Sequence, residues 1–124
     1  MSLISDSKTK LVANILVQHV LDNKDNLIIT YGEVSKLTDG QIYHRNLGKY
    51  LYTIADICKE NDLPYLTAIV CKKGTSFPGG GFFDEYFPGI SDQEKHEVFV
   101  RCLNEIKECT NWNRLIEYMR KGHI

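Results

Sequence analysis

The hydrophobic positions at the start of the chain follow a helical period. Over residues 6–22 they recur at three- and four-residue steps, which predicts an amphipathic helix with one buried face. Ser5 or Asp6 can cap its start, and the polar run at 23–26 ends it. His19 falls beside the apolar stripe, where a half-buried, hydrogen-bonded ring is favoured over a metal ligand or a base. The stripe consists of Leu11, Val12, Ile15, Leu16 and Val20.

A pair of helices joined by a tight turn is predicted next. Thr30 followed by Glu33 fits a capping box that opens a short helix over residues 31–37. A turn at 38–40 leads into a second helix over residues 42–60, whose apolar side carries Leu47, Leu51, Ile54, Ile57 and Cys58. This is the supersecondary unit of helix-turn-helix proteins, and it also occurs in proteins that never bind DNA.

The segment after these helices predicts a strand and a wing. Residues 65–71 are apolar and β-branched, which favours a buried strand. A turn at 72–76 precedes a glycine-rich return over residues 77–83. Gly79–Gly81 has neither GxGxxG nor GK[ST] spacing, so a tight wing turn is favoured over a nucleotide loop. Whether this loop binds a ligand stays open.

Two further helices complete the chain. Ser91 and Glu94 form a second capping box, and a last helix begins near residue 111, with Gly122 as its C-terminal stop. The Phe side chains of the acidic and aromatic run at 82–87 are expected to pack beneath these helices, with a docking surface as the alternative. The apolar stripes of the two helices consist of Val98, Phe99, Cys102, Leu103 and Ile106, and of Trp112, Leu115, Ile116 and Met119.

These elements predict an α-rich α+β fold in a single domain, residues 1–124. It comprises a winged helix-turn-helix core at 27–82 and C-terminal helices at 91–122, with extra helices at both ends. A chain of 124 residues buries about two thirds of the surface that it exposes when unfolded. With 43% apolar and 25% charged residues, the composition is that of a globular protein.

Charge limits the kind of nucleic-acid binding that is plausible. The net charge is −1. Residues 1–80 contain nine basic and eight acidic residues, and residues 81–124 contain six basic and eight acidic residues. Proteins that neutralise many phosphates usually carry a clear positive excess. Any nucleic-acid face must therefore be a local patch.

The remaining composition favours a cytoplasmic protein without a cofactor. No apolar run approaches the ~20 residues that span a bilayer, and the N-terminus has no signal pattern, so no membrane association is expected. The cysteines lack CxxC spacing and are expected to be structural thiols; they are Cys58, Cys71, Cys102 and Cys109. His44, His96 and His123 have no metal-ligand spacing, so no metal is expected.

Two short motifs carry a family resemblance. Tyr31 lies in Thr-Tyr-Gly-Glu-Val at the start of one predicted helix, and Arg45 follows fourteen positions later, in Arg-Asn-Leu-Gly-Lys at the start of the next. Over residues 27–82 the chain resembles the DNA-binding half of O6-alkylguanine-DNA alkyltransferases and the alkyltransferase-like proteins. The resemblance implies that the helix-turn-helix enters the minor groove, that Tyr31 rotates a phosphate and that Arg45 fills the space of a flipped base.

The residues predicted to bind double-stranded DNA are Tyr31, His44, Arg45, Asn46, Gly48, Lys49, Lys72 and Lys73. The family usually follows its arginine with small residues. Here Asn46, Lys49 and Tyr50 are bulky, and Gly48 alone is retained from the small set. The wing of the family walls the pocket for the flipped base, so Phe82 or Phe83 is expected to stack there.

The family's nucleophile is missing. Alkyltransferases carry Pro-Cys-His-Arg just before a short strand, and the corresponding residues 65–68 are Tyr-Leu-Thr-Ala, with Leu66 at the cysteine position. Cys71 lies five positions later and has no adjacent His to lower its pKa. The resemblance therefore implies a non-enzymatic, alkyltransferase-like reader of DNA.

Two other functions remain open. The near-neutral charge, the bulky second helix and the acidic second half also suit a small protein-binding module, such as an immunity protein or antitoxin that caps a partner enzyme. His44 is also a candidate base in an unrecognised hydrolase. In the non-binding alternative, Tyr31 packs on the core and Arg45 makes a surface ion pair worth under ~1 kcal/mol.

Overall fold

Helices dominate the part of the chain that the computed structural model describes, which is residues 7–74, 77–78 and 80–120. A small parallel sheet of two short strands accompanies them, so the predicted helix-rich α+β class is confirmed. The elements, in order, are α1 (Ser7–Asp22), β1 (Ile29–Thr30), α2 (Tyr31–Leu37), a 3-10 turn (His44–Asn46), α3 (Leu47–Glu60), a second 3-10 turn (Leu66–Ile69), β2 (Val70–Cys71), α4 (Gly80–Tyr86), α5 (Asp92–Glu108) and α6 (Trp112–Arg120).

The first helix lies at the centre of the fold and contacts both α3 and α6. Its buried face includes Val12, Leu16 and Val20, as the hydrophobic period predicts. His19 is half-buried, and its Nδ1 lies 3.3 Å from the side-chain amide of Asn23. Its Nε2 is buried with no hydrogen-bond partner among the described residues. The hydrogen bond expected for this ring is therefore present at one of its two nitrogens.

The helix pair α2–α3 forms, but its second helix begins later than predicted. α2 begins with the expected reciprocal capping box between Thr30 and Glu33. α3 begins at Leu47 rather than at residue 42. The reason lies in Ile42, whose N–H donates to Thr38 Oγ1 at 3.2 Å and whose carbonyl accepts from Ser35 Oγ at 2.6 Å. These bonds tie the backbone of Ile42 to the end of α2, so it cannot begin a helix.

The predicted strand over residues 65–71 is wrong in its first part. Its residues 66–69 form a buried 3-10 turn, in which the N–H of Ala68 donates to the carbonyl of Tyr65. Only Val70–Cys71 is a strand, and it pairs in parallel with Ile29–Thr30. Because α2 begins directly after Thr30, β1 is too short to extend the pairing further.

The glycine-rich return is also shorter than predicted. After β2 the chain turns at Gly74, whose φ is +83°, and comes back to form one antiparallel bridge between Cys71 and Pro78. The N–H of Lys72 donates to the carbonyl of Phe77. From Gly80 onward the chain is helical, so residues 80–83 belong to α4. The described residues thus provide a turn and a bridge where a wing is predicted.

Aromatic packing explains why this glycine-rich segment becomes a helix. Phe82 and Phe83, adjacent on α4, are 8% and 1% exposed. The ring of Phe77 lies 5.1 Å from that of Phe83 and 5.1 Å from that of Phe99 on α5. Burying these rings favours the helix despite its glycines. The packing interpretation of this segment is confirmed for Phe82 and Phe83.

The last two helices agree with the sequence prediction. α5 opens with the capping box of Ser91 and Glu94. Its stripe is buried except for Leu103, which is half-buried. α6 begins at Trp112, which is 3% exposed. The predicted stop at Gly122 and the residue His123 lie outside the described residues.

Candidate nucleic-acid interface

The parallel strand pair brings together two segments that are distant in the sequence. Tyr31 directly follows β1, and Lys72 directly follows β2. The carboxyl ends of parallel strands meet at one edge, so these residues become neighbours across the pair. Together with Gly32, His44 and Lys73 they line an open depression of about 430 Å³, which we call the cationic depression.

The other predicted DNA-binding residues adjoin this depression without lining it. Arg45 and Asn46 are exposed and follow His44 in the same 3-10 turn. Gly48 is half-buried and Lys49 is exposed, both in the first turn of α3. The Nζ of Lys49 lies 5.0 Å from the ring centroid of Tyr50. The structure therefore gathers Tyr31, His44, Lys72 and Lys73, and places the other four candidates on the adjacent turns.

The start of α3 differs from the starts of α2 and α5. Those two helices have capping boxes, whereas no side-chain cap bond is found at Asn46, the N-cap of α3, or at Tyr43, which precedes the 3-10 turn, within the described part of the chain. The first turn of α3 also contains no acidic residue. A helix N-terminus of this kind favours negative charge through the helix dipole.

A narrow cleft lies on the other side of Tyr31, between α3 and α4. Its volume is about 90 Å³. Tyr31 contributes to both this cleft and the cationic depression, so the two are adjacent. The cleft is lined by Tyr31, Gly48, Leu51, Tyr52, Thr67, Val70, Pro78, Gly81, Phe82 and Tyr86. Of the two rings expected to stack on a base, Phe82 borders this cleft and Phe83 is sealed in the core.

Gly81 is required by a close approach between two helices. A Cβ at position 81 would overlap the hydroxyl of Tyr52 on α3. The hydroxyl of Tyr86 also joins these helices, because it lies 2.9 Å from Asp56 Oδ1 and 3.2 Å from the carbonyl oxygen of Tyr52. Burial, and then the hydrogen bond to Asp56, raise the pKa of Tyr86, so this phenol stays a protonated donor at neutral pH.

Sequence reasoning missed Tyr52, Gly81 and Tyr86. Gly81 was noticed only as part of a glycine run, and nothing local in the sequence pairs it with Tyr52. Four aromatic residues, at positions 82, 83, 86 and 87, were a usable signal for a helix face, but the glycines outweighed it in the prediction.

The described residues offer no reactive centre of the kind the resemblance would require. Leu66, at the position of the alkyltransferase cysteine, is fully buried. Burial raises the pKa of Cys71 to about 11 and that of Cys58 to about 12, so both thiols are protonated at neutral pH. Within the described ranges no group of His, Cys, Asp and Glu is arranged to hold a metal ion, and no helix has the length and apolar character to cross a bilayer.

No known protein family, curated protein or solved structure matches this chain.

Proposed function

We propose that this protein binds duplex DNA without performing chemistry on it, using α2 and α3 as a helix-turn-helix of the alkyltransferase-like type. In this proposal the turn after β2 serves as the wing. The supporting observation is the cationic depression, where Tyr31 and His44 meet Lys72 and Lys73, which follow Tyr31 by 41 and 42 positions in the sequence. A near-neutral protein that concentrates cations at one edge has the local patch that phosphate binding requires.

Four basic side chains carry the electrostatics of this face. Lys72 and Lys73 belong to the depression, and Arg45 and Lys49 stand on the adjacent turns; all four are exposed. The carboxylate of Glu33 lies in the first turn of α2, two residues after Tyr31. It accepts the N–H of Thr30 at 3.0 Å, and this backbone bond is the main reason that its pKa is lowered.

A titration of labelled duplex DNA, followed by fluorescence anisotropy at about 50 mM salt, tests the proposal. Binding with a Kd below ~10⁻⁴ M is expected, because that is the weak end of non-specific affinity. Arg45→Ala should weaken binding. Lys59→Ala is the matched control, since Lys59 is an exposed cation near the far end of α3, fourteen positions after Arg45. Absent binding, or equal effects of the two substitutions, would refute the proposal.

A protein-capping role, as in an immunity protein or antitoxin, is the second candidate. Leu37 and Tyr43, which flank the turn between α2 and α3, are each 55% exposed. Exposed apolar and aromatic side chains at one place are typical of protein interfaces. Co-purification of one protein in equal amount, lost in Tyr43→Ala while DNA affinity is unchanged, would favour this function. Loss of DNA affinity in the same variant would count against it.

A further inference from the structure

We infer that the narrow cleft between α3 and α4 binds a small phenolic acid, which is a single aromatic ring with a hydroxyl at one end and a carboxylate at the other. The inference goes beyond the proposed function, because it concerns a small ligand and does not require DNA binding. It starts from Thr67, one of the residues that line the cleft. Thr67 lies in the buried 3-10 turn before β2 and is 6% exposed.

The hydroxyl of Thr67 has no hydrogen-bond partner in the part of the chain that the structure describes. By contrast, the buried hydroxyl of Thr38 donates to the carbonyl of Ser35 at 2.6 Å. Leaving a buried hydroxyl without any partner is unfavourable. Thr67 is not sealed, since the fully buried side-chain atoms that lack a partner within the described ranges are His19 Nε2 and Trp112 Nε1. Its hydroxyl is therefore open to the cleft, where it can form a hydrogen bond with a ligand.

Aromatic side chains form much of the remaining lining of the cleft. The ring centroids of Tyr52 and Tyr86 lie 6.4 Å apart, and those of Tyr86 and Phe82 lie 5.6 Å apart. Ligand pockets commonly combine such walls with a few polar groups, and an aromatic ligand gains favourable contacts with neighbouring rings. An enclosed cavity of about 150 Å³ holds benzene, whereas this cleft has about 90 Å³ and is open. A single aromatic ring therefore fills the cleft and projects from its mouth.

The two ends of the cleft favour different substituents on this ring. Tyr31 lines both the cleft and the cationic depression, so a group that projects past Tyr31 comes next to Lys72 and Lys73. The ammonium groups of these lysines favour a carboxylate there. At the inner end, Val70 is 1% exposed, and a charge among such buried apolar groups is unfavourable. A neutral hydroxyl suits this end, because it can form a hydrogen bond with Thr67.

A titration with para-hydroxybenzoate, followed through the backbone amide signals in NMR spectra, tests the inference. We expect saturable shifts at the amides of Thr67 and Val70 with a Kd of about 1 mM or below, as a ligand of about ten heavy atoms allows. Benzoate lacks the hydroxyl and para-cresol lacks the carboxylate, so each should bind about fivefold or more weakly. Absent shifts at these amides up to about 10 mM, or equal binding of the three compounds, would overturn the inference.

Two variants test whether the ligand occupies this cleft. Thr67→Val keeps nearly the same shape and removes a hydroxyl that makes no bond in the described structure, so the protein should stay folded. It should bind para-hydroxybenzoate and benzoate equally, within about twofold. Gly48→Leu adds a side chain at the lining, where a Cβ meets nothing within 4 Å, and leucine favours the helix. It should lose about tenfold in affinity. A retained preference for the hydroxyl in Thr67→Val would refute the site.

A matched pair of lysine variants tests the outer end. Lys72→Ala should weaken the binding of para-hydroxybenzoate about threefold or more and leave that of para-cresol unchanged, because only the first ligand carries a carboxylate. Lys59→Ala, at an exposed position near the end of α3, should change neither. Equal effects of Lys72→Ala on both ligands would contradict the placement of the carboxylate. These measurements contain no DNA, so their outcome is independent of the proposed function.

Discussion

The contact between Gly81 and Tyr52 predicts that Gly81→Ala changes the stability of the protein. Whether the substitution destabilises or stabilises depends on one atom, the hydroxyl oxygen of Tyr52. In Gly81→Ala the new methyl overlaps the Tyr52 hydroxyl, and its next contact, the ring carbon Cζ, is an ordinary 3.5 Å away. Tyr52 is 41% exposed, so its ring can move outward at the expense of packing. A displaced rotamer costs about 0.5–1.5 kcal/mol, and the lost packing adds to it. We expect Gly81→Ala to lower the free energy of unfolding by about 1 kcal/mol.

Removing the hydroxyl should reverse the effect. In a Tyr52→Phe background the clash disappears, and alanine gains up to about 1 kcal/mol over glycine in a helix. The coupling between the two positions should therefore be about 1.5–2 kcal/mol. Urea unfolding of the wild type, the two single variants and the double variant measures it. If Gly81→Ala has the same effect in both backgrounds, the proposed packing between α3 and α4 is wrong.

Three further predictions concern charge and hydrogen bonding. With four cations at the interface, the logarithm of DNA affinity should fall with the logarithm of salt at a slope of about −3.6, and the Lys72→Ala/Lys73→Ala variant should halve that slope. An unchanged slope would mean that these lysines do not meet phosphates. Tyr86→Phe should lower the free energy of unfolding by about 1.5–3 kcal/mol, because the half-buried Asp56 loses a donor; a neutral result in urea unfolding would contradict this role. The folded-state pKa of Glu33 lies below its ordinary value of 4.5, so its stabilising contribution is present above pH 4.5 and is lost as pH falls through the folded pKa. Glu33→Gln should remove that part of the acid sensitivity in unfolding measured against pH.

Local signals predicted the helix starts that have local causes. Thr30 with Glu33, and Ser91 with Glu94, place the starts of α2 and α5 at the observed residues, because a capping box involves only four consecutive positions. The predicted start of α3 was wrong because hydrogen bonds from Ser35 and Thr38 hold the backbone of Ile42. The pattern of apolar residues does not reveal such bonds.

Features set by distant partners were not predictable from the sequence. The strand expected over residues 65–71 is cut to two residues because its partner, β1, has only two. Tyr31 and Lys72 were both named as candidates, yet their proximity follows from the parallel pairing of those strands. The approach of Tyr52 to Gly81 joins positions 29 apart in the sequence, and only the packing of α4 on α3 creates it.

The short parallel pairing of Ile29–Thr30 with Val70–Cys71 closes a loop of about forty residues around the whole helix pair. Closing such a loop carries an entropic cost of roughly 3 kcal/mol. The pairing of two strand residues does not offset this cost without the packing of the surrounding core. The cationic depression therefore depends on the closed chain and not on a single helix. A synthetic peptide of residues 30–60 would contain the capping-box residues and the turn but would lack the opposite wall with its two lysines.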